Sequence, residues 1–151
     1  MSIAVFPGSF DPITKGHESI VNRSSQLFDQ IYVAIGVNAN KKYMFDLDTR
    51  MRFIEETFAK NPKVKVISYQ KLTMELCADL NARFILRGLR NTDDFNYEYS
   101  IASANRHLDK RVETIFLATE PKFAAINSSV VRDIYKNGGN IDAFIPDAIK
   151  L

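Results

Sequence analysis

The sequence predicts a single α/β domain, residues 1–151, built on a doubly wound, Rossmann-like parallel β-sheet with helices on both faces. Five short apolar runs rich in Ile, Val and Phe alternate with longer segments whose apolar residues recur at helical spacing, as in repeated βαβ units. The length of 151 residues suits one domain, and no linker, repeat or low-complexity tract divides the chain. Right-handed crossovers would place the strand-to-helix loops along one edge of the sheet, where such folds bind ligands.

The apolar runs supply the strands. Each is short and enriched in β-branched and aromatic residues, which suit a sheet covered on both faces. The predicted strands are IAVF (3–6), IYVAIGV (31–37), VKVI (64–67), RFILR (83–87) and TIFLA (114–118).

The intervening segments carry apolar stripes with the period of a helix. The stripes are Ile20, Val21, Leu27 and Phe28 in the first helix, Met51, Ile54 and Phe58 in the second, and Met74, Cys77, Ala78 and Asn81 in the third. A last helix is predicted at 129–136, and it stops at NGG (137–139), a glycine C-cap signal.

The helix predicted at 93–109 differs from the others because it has two apolar sides. One side has Phe95, Tyr99 and Ala102, and the other has Tyr97, Ile101, Ala104 and Leu108. Two apolar sides indicate a helix that is covered twice, either by another subunit or by burial inside a monomer.

Charge and composition narrow the classes of partner. The net charge is only +2, and no basic stripe with interleaved aromatic residues is present, so neither nucleic acid nor membrane is expected as a partner. No apolar stretch approaches the ~20 residues of a membrane span. The single cysteine, Cys77, cannot form an internal disulfide, so we expect it to pack in the core of a soluble cytoplasmic protein.

The stretch PGSFDPITKGHESIV (7–21) joins the first strand to the first helix. Gly8 and Ser9 are expected to form a turn, where the glycine supplies unusual backbone angles and leaves amides free to meet an anion. Thr14 is predicted to cap a helix that begins near residue 15, which puts His17 in its first turn on the inward face. Helix N-termini attract phosphates, although a tight loop with a packed histidine would give the same residues.

Four segments together resemble one known family. GSFDPITKGH (8–17) resembles the T/HxGH signature of the nucleotidyltransferase superfamily related to class I aminoacyl-tRNA synthetases, and NKKYMF (40–45) resembles its lysine loop. RGLRNTDDFNYEYSIASANRHL (87–108) and INSSVVR (126–132) are more specific and resemble the bacterial phosphopantetheine adenylyltransferase family. The resemblance implies the nucleotidyltransferase fold and reversible transfer of AMP from ATP to 4′-phosphopantetheine. The products would be dephospho-coenzyme A and pyrophosphate, in coenzyme A biosynthesis.

RGLR (87–90) follows a predicted strand, so its two guanidiniums should lie at the ligand-binding edge, where planar donor forks suit phosphates. A solvated surface pair is the alternative. By resemblance, Arg87 contacts phosphopantetheine, and ATP is contacted by Gly88, Leu89, Arg90 and Glu98. Without the resemblance, Glu98 would be interpreted as an ordinary exposed glutamate.

Lys41 and Lys42 follow the second strand, and a solvated basic loop is the simplest interpretation from the residues alone. The resemblance assigns Lys41 to the substrate phosphate, with Ser9 beside it, and gives Thr73 a contact with the pantetheine arm.

Ser128 and Ser129 precede the last helix, and either hydroxyl suits its N-cap, a role compatible with phosphate binding. The resemblance implies an ATP site lined by Phe123, Ala124, Ala125, Ile126, Asn127, Ser128 and Ser129, together with Ser9, Phe10 and His17. Asn127 departs from the serine usual there.

An ionised phosphate is already a nucleophile, so direct in-line attack needs neither a general base nor a covalent enzyme intermediate. Positioning and charge stabilisation would then supply catalysis. His17 would stabilise the transition state, and Lys41 and Arg90 would offset repulsion between the two anionic substrates. Mg²⁺ is expected with ATP but without a protein ligand cluster, since Asp11 is at most a weak candidate. The resemblance further implies a homohexamer and feedback by coenzyme A.

Two other classes stay open. A nucleotidyltransferase that uses CTP or acts on nicotinamide mononucleotide would share the first loop and the serine segment, but not RGLRxxxDFxYE. A regulatory nucleotide-binding module without chemistry could keep the glycine loop, but it would not need His17, Lys41 and two arginines together.

Overall fold

The computed structural model describes all 151 residues and contains one five-stranded parallel sheet with helices on both faces. Its elements are β1 (Ile3–Gly8), α1 (Lys15–Ser24), β2 (Gln30–Gly36), α2 (Leu47–Thr57), β3 (Val64–Tyr69), α3 (Thr73–Leu80), β4 (Phe84–Leu89), α4 (Thr92–Leu108), β5 (Glu113–Ala118), a 3₁₀ turn (Pro121–Phe123) and α5 (Ser128–Lys136). The strand order β3-β2-β1-β4-β5 means that the chain winds outward from β1 and then returns to its other side. The predicted doubly wound α/β fold is confirmed.

Alternating strand residues build two cores, one on each face of the sheet. Ala4 and Phe6 belong to a cluster of 18 buried residues shared with α1, α2, α5 and the C-terminal segment. Val5 and Ala34 belong to a cluster of eight buried residues shared with α3. Cys77 lies fully buried in the second cluster, as predicted, and this burial raises the pKa of its thiol to about 11. Such a thiol is packed rather than reactive.

Strands β1 and β4 separate toward their carboxyl ends. Their pairing consists of Ala4 with Phe84 and Val5 with Ile85, whereas β1 stays paired with β2 as far as its last residue. Pro7 has no amide hydrogen to donate to a ladder, and its carbonyl accepts a hydrogen bond from an arginine side chain instead. The gap therefore opens where the winding of the sheet reverses, the place at which α/β sheets bind ligands.

The predicted stripe of the first helix contains one error. Helix α1 ends at Ser24, so Leu27 lies in the following turn and is exposed. Phe28 is buried as predicted, because the chain turns back toward the sheet before β2. The other stripe members of α1 and α2 face the main core: Ile20, Val21, Met51, Ile54 and Phe58.

The stripe of the third helix is wrong at its end. Helix α3 buries Met74 and Cys77 as predicted, but it buries Leu76 rather than Ala78. Asn81 follows the helix as a left-handed C-cap with φ of 54° and is exposed. Asparagine tolerates this conformation, so the residue ends the helix instead of extending its apolar face.

Helix α4 lies largely exposed on the molecule. Its one buried residue is Glu98. Apolar residues from both predicted stripes are exposed: Phe95, Tyr97, Tyr99, Ile101 and Leu108. The hypothesis that this helix is buried inside a monomer is therefore wrong, and contact with another subunit is the alternative left. No helix of the chain has both the length and the apolarity needed to cross a membrane.

The segment after α5 closes the main core beneath the start of α1. Helix α5 ends at Lys136 with Asn137 as its C-cap, and the next residue, Gly138, has a left-handed φ of 81°, which confirms the predicted glycine C-cap signal. Three isoleucines of the segment are buried: Ile141, Ile145 and Ile149. The carbonyl of Phe144 accepts a hydrogen bond of 2.9 Å from the amide of Lys15, the first residue of α1.

Candidate active site

Three adjoining cavities open along the carboxyl edge of the sheet, and Ser9 lines all three. The first lobe, about 310 Å³, lies between the first loop (residues 9–14), α1 and the start of α5. The second lobe, about 280 Å³, lies between β1, β4 and α4. The third lobe, about 330 Å³, lies between the lysine loop (residues 37–46) and the start of α3. Together they form one elongated cleft.

Most predicted site residues line this cleft. The first lobe contains Ser9, Phe10, His17, Arg87, Gly88, Arg90, Glu98, Phe123, Ile126, Asn127 and Ser128. Thr73 lines the second and third lobes, and Lys41 lines the third. Four predicted ATP contacts line none of the three lobes: Leu89, Ala124, Ala125 and Ser129. Their contact with a nucleotide stays a prediction.

The first loop is shaped by Phe10. This residue has φ of 48°, a left-handed conformation that is uncommon for a bulky side chain. Its buried ring packs edge-on against Phe6 at 5.5 Å and His17 at 5.0 Å between ring centres. The prediction that Gly8 supplies the unusual backbone angle is wrong, because the positive φ belongs to Phe10. A Cβ on Gly8 would lie 3.0 Å from the Phe10 ring, so the glycine instead leaves room for that ring.

Thr14 and His17 cap each other at the start of α1. The Thr14 hydroxyl accepts a hydrogen bond from the His17 amide at 3.4 Å, which confirms the predicted N-cap. In return, Nδ1 of His17 accepts one from the Thr14 amide at 3.0 Å, the part that Glu or Gln plays in a common capping box. A ring nitrogen that accepts carries no proton, so the neutral imidazole has its proton on Nε2. His17 therefore offers the first lobe one N–H donor.

The surroundings of His17 keep it uncharged. Burial, and then the positive charges of Arg87 and Arg90, lower the pKa of the imidazole from 6.5 to about 4. At neutral pH the side chain is thus a neutral hydrogen-bond donor. It supplies no net charge, which leaves charge compensation to the arginines and Lys41.

Arg87 is held where the first and second lobes meet. Its Nε and Nη2 donate to the two carboxylate oxygens of Glu98 at 2.8 and 2.6 Å, and its Nη1 donates to the Pro7 carbonyl. Glu98 is 8% exposed, so it is not the exposed glutamate that the bare sequence indicates. The paired carboxylate fixes the guanidinium plane in the gap between β1 and β4.

Arg90 is fixed in a similar way by the next helix. Its Nε and Nη2 donate to the carboxylate of Asp94 at 2.9 and 3.1 Å, and its amide donates to the same carboxylate at 2.9 Å. The side-chain hydrogen bond from Arg90 is the main cause of the lowered pKa of Asp94. Both arginines of RGLR are therefore oriented before any ligand arrives.

The lysine loop meets the first loop at Ser9. Nζ of Lys41 donates to the Ser9 hydroxyl at 3.4 Å and lies 5.5 Å from the centre of the Tyr43 ring. On the far side of the third lobe, the Thr73 hydroxyl hydrogen-bonds the Tyr69 hydroxyl at 2.9 Å. Lys41 and Thr73 thus extend the cleft away from His17 rather than surround the same lobe.

Asn127 caps the last helix, and the prediction that Ser128 or Ser129 does so is wrong. The Asn127 side chain accepts a hydrogen bond from the Val130 amide at 2.9 Å. Asparagine is among the best N-cap residues, so the departure from serine preserves the cap. The Ser128 hydroxyl donates to the carbonyl of Pro12 at 3.0 Å and ties α5 to the first loop.

Three charged residues stabilise the loops of the site, a role that the sequence did not predict for any of them. Both carboxylate oxygens of Asp11 accept main-chain hydrogen bonds from the lysine loop, from Met44 at 2.8 Å and Phe45 at 2.9 Å. Arg132 donates to the Asp11 carbonyl at 3.0 Å, and its position in INSSVVR was a signal that could have drawn attention. Arg50 is buried in α2, and nothing in the spacing of that helix distinguishes it from a surface arginine.

Known proteins resemble this chain over most of its length. A profile of the cytidylyltransferase-like family matches residues 5–134. The phosphopantetheine adenylyltransferase of Flavobacterium psychrophilum is 56% identical over 151 residues, covering 100% of this chain and 99% of the relative. The enzyme of the same name from Flavobacterium johnsoniae is 55% identical, with the same coverage.

Solved structures share the fold at low sequence identity. A bifunctional NMN adenylyltransferase/ADP-ribose pyrophosphatase from Francisella tularensis superposes with a TM-score of 0.71 at 17% identity, and the match covers 95% of this chain but only 44% of that one. A candidate nicotinate-nucleotide adenylyltransferase from Vibrio parahaemolyticus gives 0.71 at 21% identity, covering 98% and 96% of the two chains. These likenesses show the architecture alone.

Proposed function

The chain belongs to the cytidylyltransferase-like family and, within it, to the phosphopantetheine adenylyltransferases, and from this membership we propose its reaction. It transfers AMP from ATP to 4′-phosphopantetheine and releases dephospho-coenzyme A and pyrophosphate. The reaction is reversible and belongs to coenzyme A biosynthesis.

One observation carries the proposal more than any other. The His17 imidazole, both arginines of RGLR and the first loop line one lobe, and that lobe continues through Ser9 into the lobes that contain Thr73 and Lys41. A cleft of this shape suits two ligands that meet at a phosphate, with a nucleotide at one end and an elongated pantetheine arm at the other.

The proposed chemistry needs no protein base. A 4′-phosphate oxygen forms a bond to the α-phosphorus of ATP, the bond from that phosphorus to the bridging oxygen breaks, and its electron pair leaves with pyrophosphate. The Nε2–H of neutral His17 donates to an α-phosphoryl oxygen, on which charge is concentrated in the transition state. Because no proton has to be removed from the nucleophile, a histidine whose accepting nitrogen is already bonded to the Thr14 amide is sufficient.

The cations of the cleft bring the two anionic substrates together. Lys41 and Ser9 meet at the junction of the lobes, where the attacking phosphate would lie. Arg87 lines both the first and the second lobe, so it can contact phosphopantetheine beside the nucleotide. Arg90 lines only the first lobe, which supports a role toward ATP.

The side chains of the cleft offer no cluster of ligands for Mg²⁺. No group of three or more His, Cys, Asp and Glu side chains is placed to hold an ion. The carboxylates of the cleft are already engaged, Asp11 by loop amides and Glu98 and Asp94 by arginines. We therefore propose that Mg²⁺ enters with ATP, held by phosphate oxygens and water, and we assign it no residue of this chain.

Three further properties are part of the proposal. The exposed aromatic residues of α4 support assembly, for which we propose a homohexamer. The free, buried thiol of Cys77 is compatible with the reducing cytoplasm. Coenzyme A contains the product of the reaction within its own structure, so it would compete for the same cleft as a feedback ligand.

A pyrophosphate-release assay with purified protein tests the reaction. ATP and 4′-phosphopantetheine together should release pyrophosphate, whereas ATP alone should not. Parallel reactions with nicotinamide mononucleotide as acceptor and with CTP as donor test the other nucleotidyltransferase activities. Pyrophosphate release from one of those pairs, without release from ATP and phosphopantetheine, would overturn the proposal. Nucleotide binding without release in any reaction would favour a regulatory module.

A further inference from the structure

Arg50 is a buried charge that the proposed reaction does not use. It lies in α2, is 2% exposed and takes part in none of the ion pairs of the chain. A buried ion without a counter-ion is costly to fold, so its retention in the core calls for compensating contacts.

The contacts of Arg50 join the two loops of the cleft. Nη1 donates to the carbonyl of Ser9 in the first loop at 2.9 Å. Nε donates to the carbonyl of Phe45 in the lysine loop at 3.0 Å. The guanidinium also lies over the Tyr43 ring, 4.0 Å from its centre. One rigid group therefore contacts a main-chain carbonyl in each loop and one side-chain ring of the lysine loop.

Two of these points adjoin the contact between Lys41 and Ser9. Arg50 holds the main chain of Ser9, whose hydroxyl accepts the hydrogen bond from Lys41. It also holds the Tyr43 ring, against which the Lys41 ammonium packs from 5.5 Å. Lys41 itself is exposed and has a long flexible stem, so its ammonium has little else to place it.

We propose that Arg50 is a positioning residue that holds the lysine loop against the first loop and thereby places Lys41 at the substrate phosphate. This inference rests on the proposed function for the role of Lys41. The planar fork of arginine matters here, because two carbonyls and a ring face must be engaged at once. A lysine would keep the charge but could not make the same three contacts.

Arg52 offers a matched control on the same helix. It is exposed, and it pairs with Glu56 one turn further along, away from the cleft. Steady-state kinetics should be compared for Arg50→Met, Arg50→Lys and Arg52→Met, well below the melting temperature of each variant. We expect Arg50→Met to lower kcat/KM for phosphopantetheine about tenfold to a hundredfold, the range for a misplaced catalytic group. Arg50→Lys should recover only part of this loss, and Arg52→Met should match the wild type.

A double-mutant cycle with Lys41→Ala separates positioning from general destabilisation. If Arg50 acts through Lys41, adding Arg50→Met to Lys41→Ala should lower kcat/KM by less than about threefold, because both substitutions remove the same contribution of Lys41. A full additional loss in the Lys41→Ala background would overturn the inference, as would an Arg50→Met enzyme with normal kinetics. Should Arg50→Met fail to fold, the same cycle is run with Arg50→Lys.

Hydrogen exchange supplies a readout that does not depend on activity. The amides of the lysine loop, residues 37–46, should exchange faster in Arg50→Lys than in Arg52→Met, while the strands keep their protection. Unchanged exchange in this loop would overturn the inference. A wild-type protein without adenylyltransferase activity would instead contradict the proposed function. The comparison of hydrogen exchange would still decide whether Arg50 joins the two loops.

Discussion

His17 and Thr14 hold each other at the start of α1, with the Thr14 amide donating to Nδ1 of the imidazole at 3.0 Å and the Thr14 hydroxyl accepting from the His17 amide at 3.4 Å. The same pair of hydrogen bonds caps the N-terminus of the helix and fixes the tautomer of the ring. A residue that helps to cap the helix is thus also the donor that faces the cleft.

Replacing His17 with alanine should lower turnover at least a hundredfold with little loss of ATP affinity. The missing Nε2–H donor acts on charge that develops in the transition state, and comparable donors contribute about 2.7–4 kcal/mol. Single-turnover kinetics and ATP titration calorimetry check the two halves of this prediction. Near-normal turnover of the folded variant would remove His17 from the catalytic role.

His17 should titrate near pH 4. Burial and two neighbouring arginines lower its pKa from 6.5 to about 4, so the unfolded chain binds this proton more readily than the folded one. The stabilising contribution of neutral His17 should therefore be complete above pH 6.5 and be lost as the pH falls toward 4. NMR titration of a His107→Asn variant, in which His17 is the only histidine, measures the value directly. A midpoint near 6.5 would contradict the proposed environment.

Replacing Arg87 with alanine should mainly weaken phosphopantetheine binding. A hydrogen bond to a charged group contributes about 1.5–3 kcal/mol, which corresponds to at least a tenfold higher Kd. The variant also leaves the buried carboxylate of Glu98 without its partner, which would destabilise the fold. The double variant Arg87→Ala/Glu98→Gln removes this unpaired charge and should therefore be measured as well. Titration calorimetry with Arg90→Ala as the comparison should show the opposite preference, a larger effect on ATP. Equal phosphopantetheine affinity in wild type and both Arg87 variants would refute the assignment.

Asp11 should matter for stability rather than for magnesium. Replacing it with alanine leaves the half-buried amides of Met44 and Phe45 without their partner, and the cost of about 1–3 kcal/mol for a fully buried unsatisfied amide is the upper limit for each. Chemical denaturation should show a lower free energy of unfolding for Asp11→Ala. The control variant Glu55→Ala, on the exposed side of α2, should have the stability of the wild type. The magnesium concentration for half-maximal activity should stay unchanged. An altered magnesium dependence with normal stability would instead make Asp11 a metal ligand.

The exposed face of α4 should join copies of the chain. Tyr99 is 57% exposed and stacks on Phe95, so a glutamate at this position would place a charge in the proposed contact. Light scattering after size exclusion should give wild type a mass near six times the 17.2 kDa of one chain, and Tyr99→Glu a smaller mass. Leu27→Glu, at an equally exposed apolar position away from α4, is the control. A wild-type monomer would refute assembly through this helix.

Periodicity and loop composition were sufficient to predict the architecture and most of the cleft. The five strands lie within two residues of the predicted runs at either end, because short apolar segments separated by amphipathic helices have few other ways to be buried. The Thr14 cap and the inward direction of His17 also followed from local rules, since a single good capping residue precedes the apolar stripe of this helix.

The remaining features depend on contacts between distant segments. The left-handed Phe10, the pairing of Glu98 with Arg87 and the burial of Arg50 each require a partner from another element. Spacing within one helix cannot reveal such partners, and Glu98 and Arg50 both look like solvated charges in isolation. The N-cap of α5 was missed for a different reason. Asn127, Ser128 and Ser129 are adjacent and all suit an N-cap, and only the folded chain shows that Asn127 fills this position.

The packing of the segment after α5 against the start of α1 has a consequence during synthesis. The amide of Lys15 finds its acceptor at Phe144, and the first loop is tied to α5 by Ser128 and Arg132, all more than a hundred residues downstream. A ribosome-bound chain that has emerged only through α4 already contains His17, Lys41 and both arginines, yet lacks the segments that brace them. Nucleotide capture should therefore begin late, once α5 and the segment that contains Phe144 are free of the exit tunnel.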